Sequence, residues 1–309
     1  MCGAQYPSQR FAIIVFALMP AEFPPRRSAL FMPGANQRAM AKARELNCDA
    51  VIFDLEDAVA PDAKALAREQ VAATVNAGGY GDREVIVRVN GLDTPWGEAD
   101  VAAIASLPVA GVLFPKVQSA ADVTAICAAL DRRGARRVPV WVMIETPRGV
   151  LAAEAIATAS SRVEVLVMGT SDLVAALRAR HTTARHEVVT ALAHCVLVAR
   201  ATERAILDGV HLDFRNAETF RVACVQARDL GFDGKTLIHP DQIAIANAVF
   251  GINLDEVEHA RAVIAAANAA QASGRGVAVL EGRLIENLHV AEAERILAQV
   301  AVLAARRRD

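Results

Sequence analysis

Short apolar runs alternate with Ala-rich stretches along most of the chain. Eight of these runs read as strands: Ser28–Met32, Ala50–Asp54, Glu84–Asn90, Gly111–Pro115, Val138–Glu145, Glu164–Gly169, Gly209–Phe214 and Lys235–His239. Most are continuously apolar rather than alternating, which is typical of parallel strands that are buried on both faces. The pattern therefore predicts a parallel sheet.

Helical patterns occupy the segments between the predicted strands. The predicted helices are Gln37–Asn47, Asp62–Ala77, Trp96–Leu107, Ala120–Arg133, Gly149–Ala159, Glu187–Leu207 and Glu218–Leu230. They are rich in Ala with Arg and Glu, which favour helix. Strands that alternate with helices indicate βαβ units. Eight such units predict an α/β fold of the (β/α)8 TIM-barrel type, with a doubly wound open sheet as the alternative.

The chain continues beyond the eighth predicted strand. Its remaining predicted elements are helices over Pro240–Val249, Leu254–Ser273 and Val290–Arg306 and a hairpin over Gly276–Ile285 that turns at Glu281-Gly282. We therefore expect a catalytic barrel over residues 26–250 and a C-terminal helical and hairpin arm, or lid, over residues 251–309. Residues 1–25 are expected to be a disordered leader, or sequence upstream of a true start at Met19.

Composition and charge exclude several classes of protein. The 309 residues are 54% apolar and 22% charged with a net charge of -2, which excludes a disordered chain and gives no basic excess for nucleic acid. The longest apolar run, Phe11–Met19, is shorter than the roughly 20 residues of a spanning helix. Five scattered cysteines without CxxC spacing are typical of a reduced, cytoplasmic protein.

Polar residues follow the predicted strands at their carboxyl ends, where α/β barrels form their active sites. Any one of them could instead serve as a helix cap or an ion-pair partner, as Asp172 or Asp57 could. A carboxylate at Glu145, directly after an apolar run, is costly to bury without a cation. We therefore predict one shared site from the strand ends Asp54-Leu55-Glu56-Asp57, Arg88-Val89-Asn90, Pro115-Lys116, Glu145-Thr146-Pro147, Gly169-Thr170-Ser171-Asp172, Asp213 and His239-Pro240.

The residue types at these strand ends indicate a metal site for a small acid. Carboxylates without a Cys or His cluster suit Mg²⁺, or Mn²⁺, better than Zn²⁺. The planar guanidinium of Arg88 can bind a substrate carboxylate in bidentate fashion. A metal ion beside an arginine predicts an α-keto or α-hydroxy acid as substrate, with the metal acting as a Lewis acid.

At these residues the chain resembles the citrate lyase β-subunit-like family of the HpcH/HpaI aldolases. The resemblance spans roughly residues 26–306, and its order and spacing are more specific than any single motif. The motifs that carry it are Arg27-Ser28-Ala29-Leu30-Phe31-Met32-Pro33-Gly34, Asp54-Leu55-Glu56-Asp57-Ala58-Val59, Arg88-Val89-Asn90-Gly91, Phe114-Pro115-Lys116-Val117, Ile144-Glu145-Thr146-Pro147 and Gly231-Phe232-Asp233-Gly234-Lys235-Thr236-Leu237-Ile238-His239-Pro240.

The resemblance implies a Mg²⁺-dependent carbon–carbon lyase. Such enzymes cleave or form malyl-CoA, citramalyl-CoA or citryl-CoA, with acetyl-CoA and an oxo acid as the other partners. The alternatives are an aldolase acting on free 2-oxo acids without CoA, a subunit acting on an acyl carrier protein thioester, and a degenerate, non-catalytic barrel. The resemblance also implies a homotrimer or homohexamer in which the C-terminal arm reaches a neighbouring subunit's site.

The resemblance implies a role for each of several residues. It assigns Mg²⁺ to Glu145 and Asp172, the oxo acid to Arg88, and the ordering of metal-bound water to Glu56 and Asp57. Further substrate contacts are expected from Arg27 and Lys42, near the CoA phosphates, and from Pro147 and Gly169.

The chain departs from the family pattern at three positions. Glu286 replaces an arm aspartate that serves as acid or base in the neighbouring site, and we expect Glu286 to take that role. Ser171 stands where many relatives have Glu, and Asn216 stands near an expected Asp. These changes bear on the substrate and the rate rather than on the fold.

Overall fold

Eight parallel strands close into a barrel in the computed structural model, which describes residues 24–273 and 277–305. Each strand pairs with the next in the chain, and the first pairs with the eighth, which confirms the TIM barrel over the open sheet. The strands are β1 Ser28–Pro33, β2 Ala50–Asp54, β3 Glu84–Arg88, β4 Gly111–Phe114, β5 Val140–Ile144, β6 Val163–Met168, β7 Ala205–Asp208 and β8 Gly234–Leu237.

Helices surround the barrel. They are α1 Gln37–Lys42, α2 Lys64–Ala77, α3 Gly97–Ile104, α4 Ala120–Arg132, α5 Pro147–Leu151, α6 Ala153–Thr158, α7 Thr170–Ala176, α8 Val189–Ala201, α9 Ala217–Leu230 and α10 Gln242–Val249. The side chains of Asn36, Ser119 and Asn216 accept a backbone N–H at the starts of α1, α4 and α9. The predicted helix Gly149–Ala159 is two short helices, α5 and α6, and α7 was not predicted.

The seventh strand was predicted in the wrong place. It was expected at Gly209–Phe214, whereas β7 is Ala205–Asp208 and residues 209–216 form a loop. Helix α8 ends at Ala201, and Glu203 turns the chain with a φ of 55°. Because this turn contains neither Gly nor Pro, the apolar residues of β7 read as a continuation of the predicted helix.

The barrel interior explains which side chains reach the site. Ile52, Ile86 and Met143 belong to the apolar cluster inside the barrel, while most other buried side chains pack between strands and helices. Side chains alternate between the two faces of a strand. The residues two positions after Ile52, Ile86 and Met143 therefore also face inward. They are Asp54, Arg88 and Glu145, and they lie at the carboxyl-terminal mouth of the barrel.

The C-terminal arm consists of α11 Leu254–Ala272, the hairpin strands β9 Ala278–Leu280 and β10 Arg283–Ile285, and α12 Asn287–Ala305. Its helices and hairpin confirm the elements predicted there. The turn falls at Glu281 and Gly282, whose φ angles of 51° and 78° suit a two-residue hairpin turn. Gly276, Arg306 and the predicted leader up to residue 23 lie outside the described residues.

Within residues 24–273 and 277–305, no helix is both long and apolar enough to cross a membrane.

Candidate active site

Glu145 is a buried carboxylate at the mouth of the barrel, directly after β5. The backbone of Lys116 holds this side chain in place, since its N–H donates to Glu145 Oε1 at 2.7 Å. Its Oε2 is buried and has no hydrogen-bond partner among the described residues. Burial raises the pKa of Glu145 to about 7; the bond from Lys116 opposes this shift, and the negative charges of Asp172 and Glu56 add to it.

Gly169 gives Glu145 the space it occupies. A Cβ atom at position 169 would lie 2.3 Å from the Glu145 Cβ and 2.4 Å from its Oε2. The residue that follows β6 must therefore be glycine for this carboxylate to keep its place. This contact puts Gly169, predicted to bind substrate, directly against a predicted metal ligand.

Asp172 lies half-buried in the first turn of α7. Its charge acts on Glu145, so the structure brings the two predicted metal ligands to the same part of the mouth. No three His, Cys, Asp or Glu side chains form a metal cluster among the described residues. Two carboxylates completed by water and substrate are an ordinary Mg²⁺ site, and a buried oxygen without a donor fits a cation as its partner.

Arg88 is surrounded by acidic side chains. Its Nε and Nη2 donate to the two carboxylate oxygens of Asp54 at 2.7 and 2.6 Å, and its Nη1 lies 2.8 Å from Glu56 Oε2. Burial disfavours its charge, but Asp54, Glu56 and Asp57 outweigh burial and raise the pKa of Arg88 above its ordinary value. The Nε and Nη2 donors of Arg88, which could bind a substrate carboxylate in bidentate fashion, thus already bind Asp54.

Glu56 joins Arg88 to Lys116. Its Oε1 accepts from Lys116 Nζ at 2.6 Å, and burial raises the pKa of Glu56 against the opposing effects of Arg88 and Lys116. Asp57 is more exposed, with a carboxylate oxygen 3.6 Å from Arg88 Nη1. Asp54 and Lys116 were predicted to lie at strand ends, but neither was predicted to have a role. The pairing of Asp54 with Arg88 follows from the register of β2 and β3, in which the two residues are neighbours.

The mouth therefore carries more negative than positive charge. Five carboxylates, of Asp54, Glu56, Asp57, Glu145 and Asp172, share three cations, Arg88, Lys116 and the buried Lys64. An acidic substrate would be repelled by this excess unless a divalent cation reduced it. The charge balance thus agrees with the donor set in fitting Mg²⁺.

Two residues predicted near the CoA phosphates do not join this cluster. Arg27 precedes β1, at the amino-terminal end of the barrel, and binds Asp49 through Nε and Nη2, both at 2.8 Å. The first residues of a parallel strand lie at the opposite end of the barrel from the strand-end carboxylates, and the contact of Arg27 with the CoA phosphates stays a prediction. Lys42 is exposed at the end of α1. Pro147, by contrast, begins α5 at the mouth.

The remaining candidates have local partners. The backbone N–H of Glu286, between β10 and α12, donates to His289 Nδ1 at 2.9 Å, and the Glu286 side chain is exposed. No hydrogen bond or ion pair joins Glu286 to the barrel within the part of the chain that the structure describes. Ser171 has a buried hydroxyl without a hydrogen-bond partner among those residues, and Asn216 caps α9.

Comparisons with known proteins identify the family of the chain. Residues 27–240 match the family described as HpcH/HpaI aldolase/citrate lyase. A (3S)-malyl-CoA thioesterase of Cereibacter sphaeroides (strain KD131) is 47% identical over 281 residues, covering 91% of this chain and 96% of that protein. An L-malyl-CoA/beta-methylmalyl-CoA lyase of Cereibacter sphaeroides (strain ATCC 17025) is 35% identical over 308 residues, with the same coverage of 91% and 96%.

A solved structure covers nearly the same part of the chain. Protein CitE from Mycobacterium tuberculosis, in complex with magnesium, acetoacetate and coenzyme A, superposes with a TM-score of 0.74 at 29% identity, covering 91% of this chain and 99% of that one. The fold, the motifs and the family match lead to the same conclusion. The chain belongs to the HpcH/HpaI aldolase/citrate lyase family.

Proposed function

We propose that this protein cleaves a CoA thioester of the malyl-CoA type at a Mg²⁺ site held by Glu145 and Asp172. The observation that carries the proposal is the buried, unpartnered Oε2 of Glu145 in a mouth with excess negative charge. Relatives named for malyl-CoA chemistry support the substrate, and the CitE complex with magnesium, acetoacetate and coenzyme A supports the ion.

Each side chain at the mouth has a distinct part in this proposal. Bound Mg²⁺, or Mn²⁺ in its place, would act as a Lewis acid toward the substrate's oxygen atoms. Glu145 and Asp172 would hold the ion, and Glu56 and Asp57 would order water around it. Arg88, fixed by its two bonds to Asp54, would direct a positive charge at the oxo-acid end of the substrate. Pro147 and Gly169 would shape the wall of the pocket.

Two reactions of the same substrate are compatible with this site. In hydrolysis, water attacks the thioester carbonyl carbon, the C–S bond breaks, and the acid and free CoA thiol are released. In carbon–carbon cleavage, the substrate hydroxyl loses its proton, the C–C bond breaks, and the acetyl-CoA enolate is protonated as the oxo acid leaves. We favour hydrolysis because relatives at 46–47% identity are malyl-CoA thioesterases, whereas the lyases are 35% identical. The predicted lyase is the second candidate.

Glu286 is the proposed acid or base, supplied to a neighbouring subunit's site in a homotrimer or homohexamer. Its exposed carboxylate lies on the arm and has no barrel partner within the described residues. A positioned acid or base contributes about 10²–10⁴ in rate. Glu is one methylene longer than the family Asp, so Glu286→Asp is the informative substitution.

The test follows both products from malyl-CoA, with Mg²⁺ or with EDTA. Free thiol without glyoxylate identifies hydrolysis, whereas glyoxylate with acetyl-CoA identifies the lyase. Turnover should require Mg²⁺ and be lost in Glu145→Gln. Full activity in EDTA would contradict the metal site. Activity on free 2-oxo acids alone would identify the aldolase, and no reaction with either class of substrate would identify a non-catalytic barrel.

A further inference from the structure

Lys116 connects the two halves of the candidate site. It follows β4 with a φ of 52°, a left-handed conformation that residues other than glycine rarely adopt. In this conformation its backbone N–H reaches Glu145 Oε1 at 2.7 Å while its Nζ reaches Glu56 Oε1 at 2.6 Å. Unfavourable backbone conformations persist where the surroundings fix them, and they concentrate at functional sites.

The edge of Arg88 formed by Nε and Nη2 is already occupied. Its Nε and Nη2 bind a buried Asp54, and its Nη1 contacts Glu56. A substrate carboxylate could bind this edge in bidentate fashion only by displacing Asp54, whose side chain is 1% exposed. Displacement would leave Asp54 as a buried charge without its cation, which is costly.

Lys116 is under no such restriction. Its side chain is 49% exposed, against 9% for Arg88, and its ammonium has three donors, of which Glu56 takes one. Glu56 keeps its contact with Arg88 when the ammonium moves. A half-exposed ion pair contributes little to stability, so its bond to Glu56 does not by itself account for the unusual backbone of Lys116.

We propose that the Lys116 ammonium binds the free carboxylate of the substrate, next to its hydroxyl group, and thereby selects acidic thioesters over neutral ones. The proposal rests on the proposed function for the identity of the substrate. In this arrangement Arg88 acts as a fixed charge behind Glu56, and Lys116 is the residue that touches substrate. The ammonium exchanges its bond with Glu56 for one with the incoming carboxylate.

The test measures the binding of two small acids by calorimetry in Mg²⁺. L-malate carries a carboxylate next to its hydroxyl-bearing carbon, and 3-hydroxybutyrate has a methyl group there. Lys116→Met should weaken L-malate binding by about 10- to 100-fold, as expected for the loss of a hydrogen bond to a charged group. Binding of 3-hydroxybutyrate should stay as in wild type, and Lys116→Arg should restore most of the L-malate affinity.

Arg228→Met is the matched control. Arg228 is also a half-exposed cation, 47% exposed, in an ion pair at 2.9 Å with Asp229, on helix α9. The Arg228→Met variant should bind both acids with the affinity of the wild-type protein. Lys116→Gly is the second ammonium-free variant: it keeps the left-handed backbone without strain, so it tests the proposal even if Lys116→Met folds poorly.

Two results would overturn the proposal: wild-type L-malate affinity in both ammonium-free variants, or equal losses for both acids. Malyl-CoA turnover separates this proposal from the proposed function. If wild-type protein leaves malyl-CoA intact yet binds L-malate through Lys116, the proposed function fails and the assignment of Lys116 stands. If malyl-CoA is cleaved normally and L-malate affinity is independent of Lys116, only the assignment fails.

Discussion

The two ends of the barrel hold charged side chains in different ways. At the amino-terminal end Arg26 binds Glu84 at 2.6 Å and lies 3.5 Å from Glu164, and Arg27 binds Asp49 at 2.8 Å, so each of these carboxylates has an arginine partner. At the carboxyl-terminal end five carboxylates share three cations, Arg88, Lys116 and Lys64, and one oxygen of Glu145 has no donor within the described residues. The imbalance, rather than the mere presence of charge, distinguishes the end that can bind a ligand.

The two ends differ in whether their charged side chains stabilise the fold or are available to bind a ligand. In a matched, buried ion pair each charge is already bound by the other, so neither is available to a ligand. Removing one partner destabilises the protein, because the other charge then remains buried without a partner. A buried carboxylate without a matching donor is retained at the expense of stability, which is typical of functional sites. Substitutions at the two ends should therefore have opposite signatures.

The largest expected effect is at Glu145. Glu145→Gln keeps the size of the side chain but removes the charge, so Mg²⁺-dependent turnover of malyl-CoA should fall by at least about 10³-fold. The metal-free variant should be no less stable than wild type, because a costly buried charge is gone. Thermal melts with and without Mg²⁺ check both points, and a Mg²⁺-induced rise in Tm as large as that of wild type would contradict the assignment.

The amino-terminal end should show the opposite pattern. Arg27→Met leaves Asp49 buried without this cation and should lower the free energy of unfolding by about 2–4 kcal/mol. Its KM for the CoA thioester should not change, because Arg27 lies at the other end of the barrel. Denaturant unfolding measures the free energy of unfolding, and steady-state kinetics measures the KM. A raised KM with unchanged stability would support the CoA-binding role predicted for Arg27.

Gly169→Ala tests the packing beneath Glu145. The added Cβ would collide with the carboxylate, so Mg²⁺ affinity should fall by about 10- to 100-fold, as when the supports of a metal ligand are changed. Gly134→Ala is the control for the general cost of replacing a glycine: its φ of 81° makes Ala unfavourable, but a Cβ there meets nothing within 4 Å, so Mg²⁺ affinity should not change. Calorimetric titration with Mg²⁺ compares the two variants. Equal affinities would show that Glu145 can move without consequence.

The smallest expected effects are those of pH on Mg²⁺ affinity and on the stability of the metal-free protein. Since the pKa of Glu145 is raised to about 7, Mg²⁺ must displace a proton below that pH, and its affinity should fall by about tenfold per pH unit there. The folded chain holds this proton more tightly than the unfolded chain. Metal-free protein should therefore lose stability as the pH rises from the ordinary carboxyl value toward 7. Glu145→Gln should remove both dependences; their persistence in it would assign them to another group.

The sequence predicted the barrel and the arm because both depend on local patterns. The alternation of short runs, most of them continuously apolar, with Ala-rich stretches identified seven of the strands, and Glu281-Gly282 identified the hairpin. The strand β7 was missed because Glu203 ends the preceding helix through its backbone conformation, without a turn residue that can be recognised. Charged strand ends located the mouth, because the carboxyl ends of parallel strands meet at one rim.

The partners of the site residues were beyond reach of the sequence alone. That Asp54 occupies the fork of Arg88 depends on the register between β2 and β3 and on the rotamers of both side chains. The left-handed backbone of Lys116 has no local sequence signal, because glycine is the usual residue in that conformation. The assignment of Mg²⁺ to Glu145 and Asp172 remains a prediction for experiment.

A crystal structure of the protein grown in Mg²⁺ would show whether Glu145 and Asp172 hold the ion. We expect one ion with a carboxylate oxygen from each of Glu145 and Asp172 at about 2.1 Å and water at its other positions. A structure at saturating Mg²⁺ in which the two carboxylates point apart, or in which the ion binds elsewhere, would contradict it.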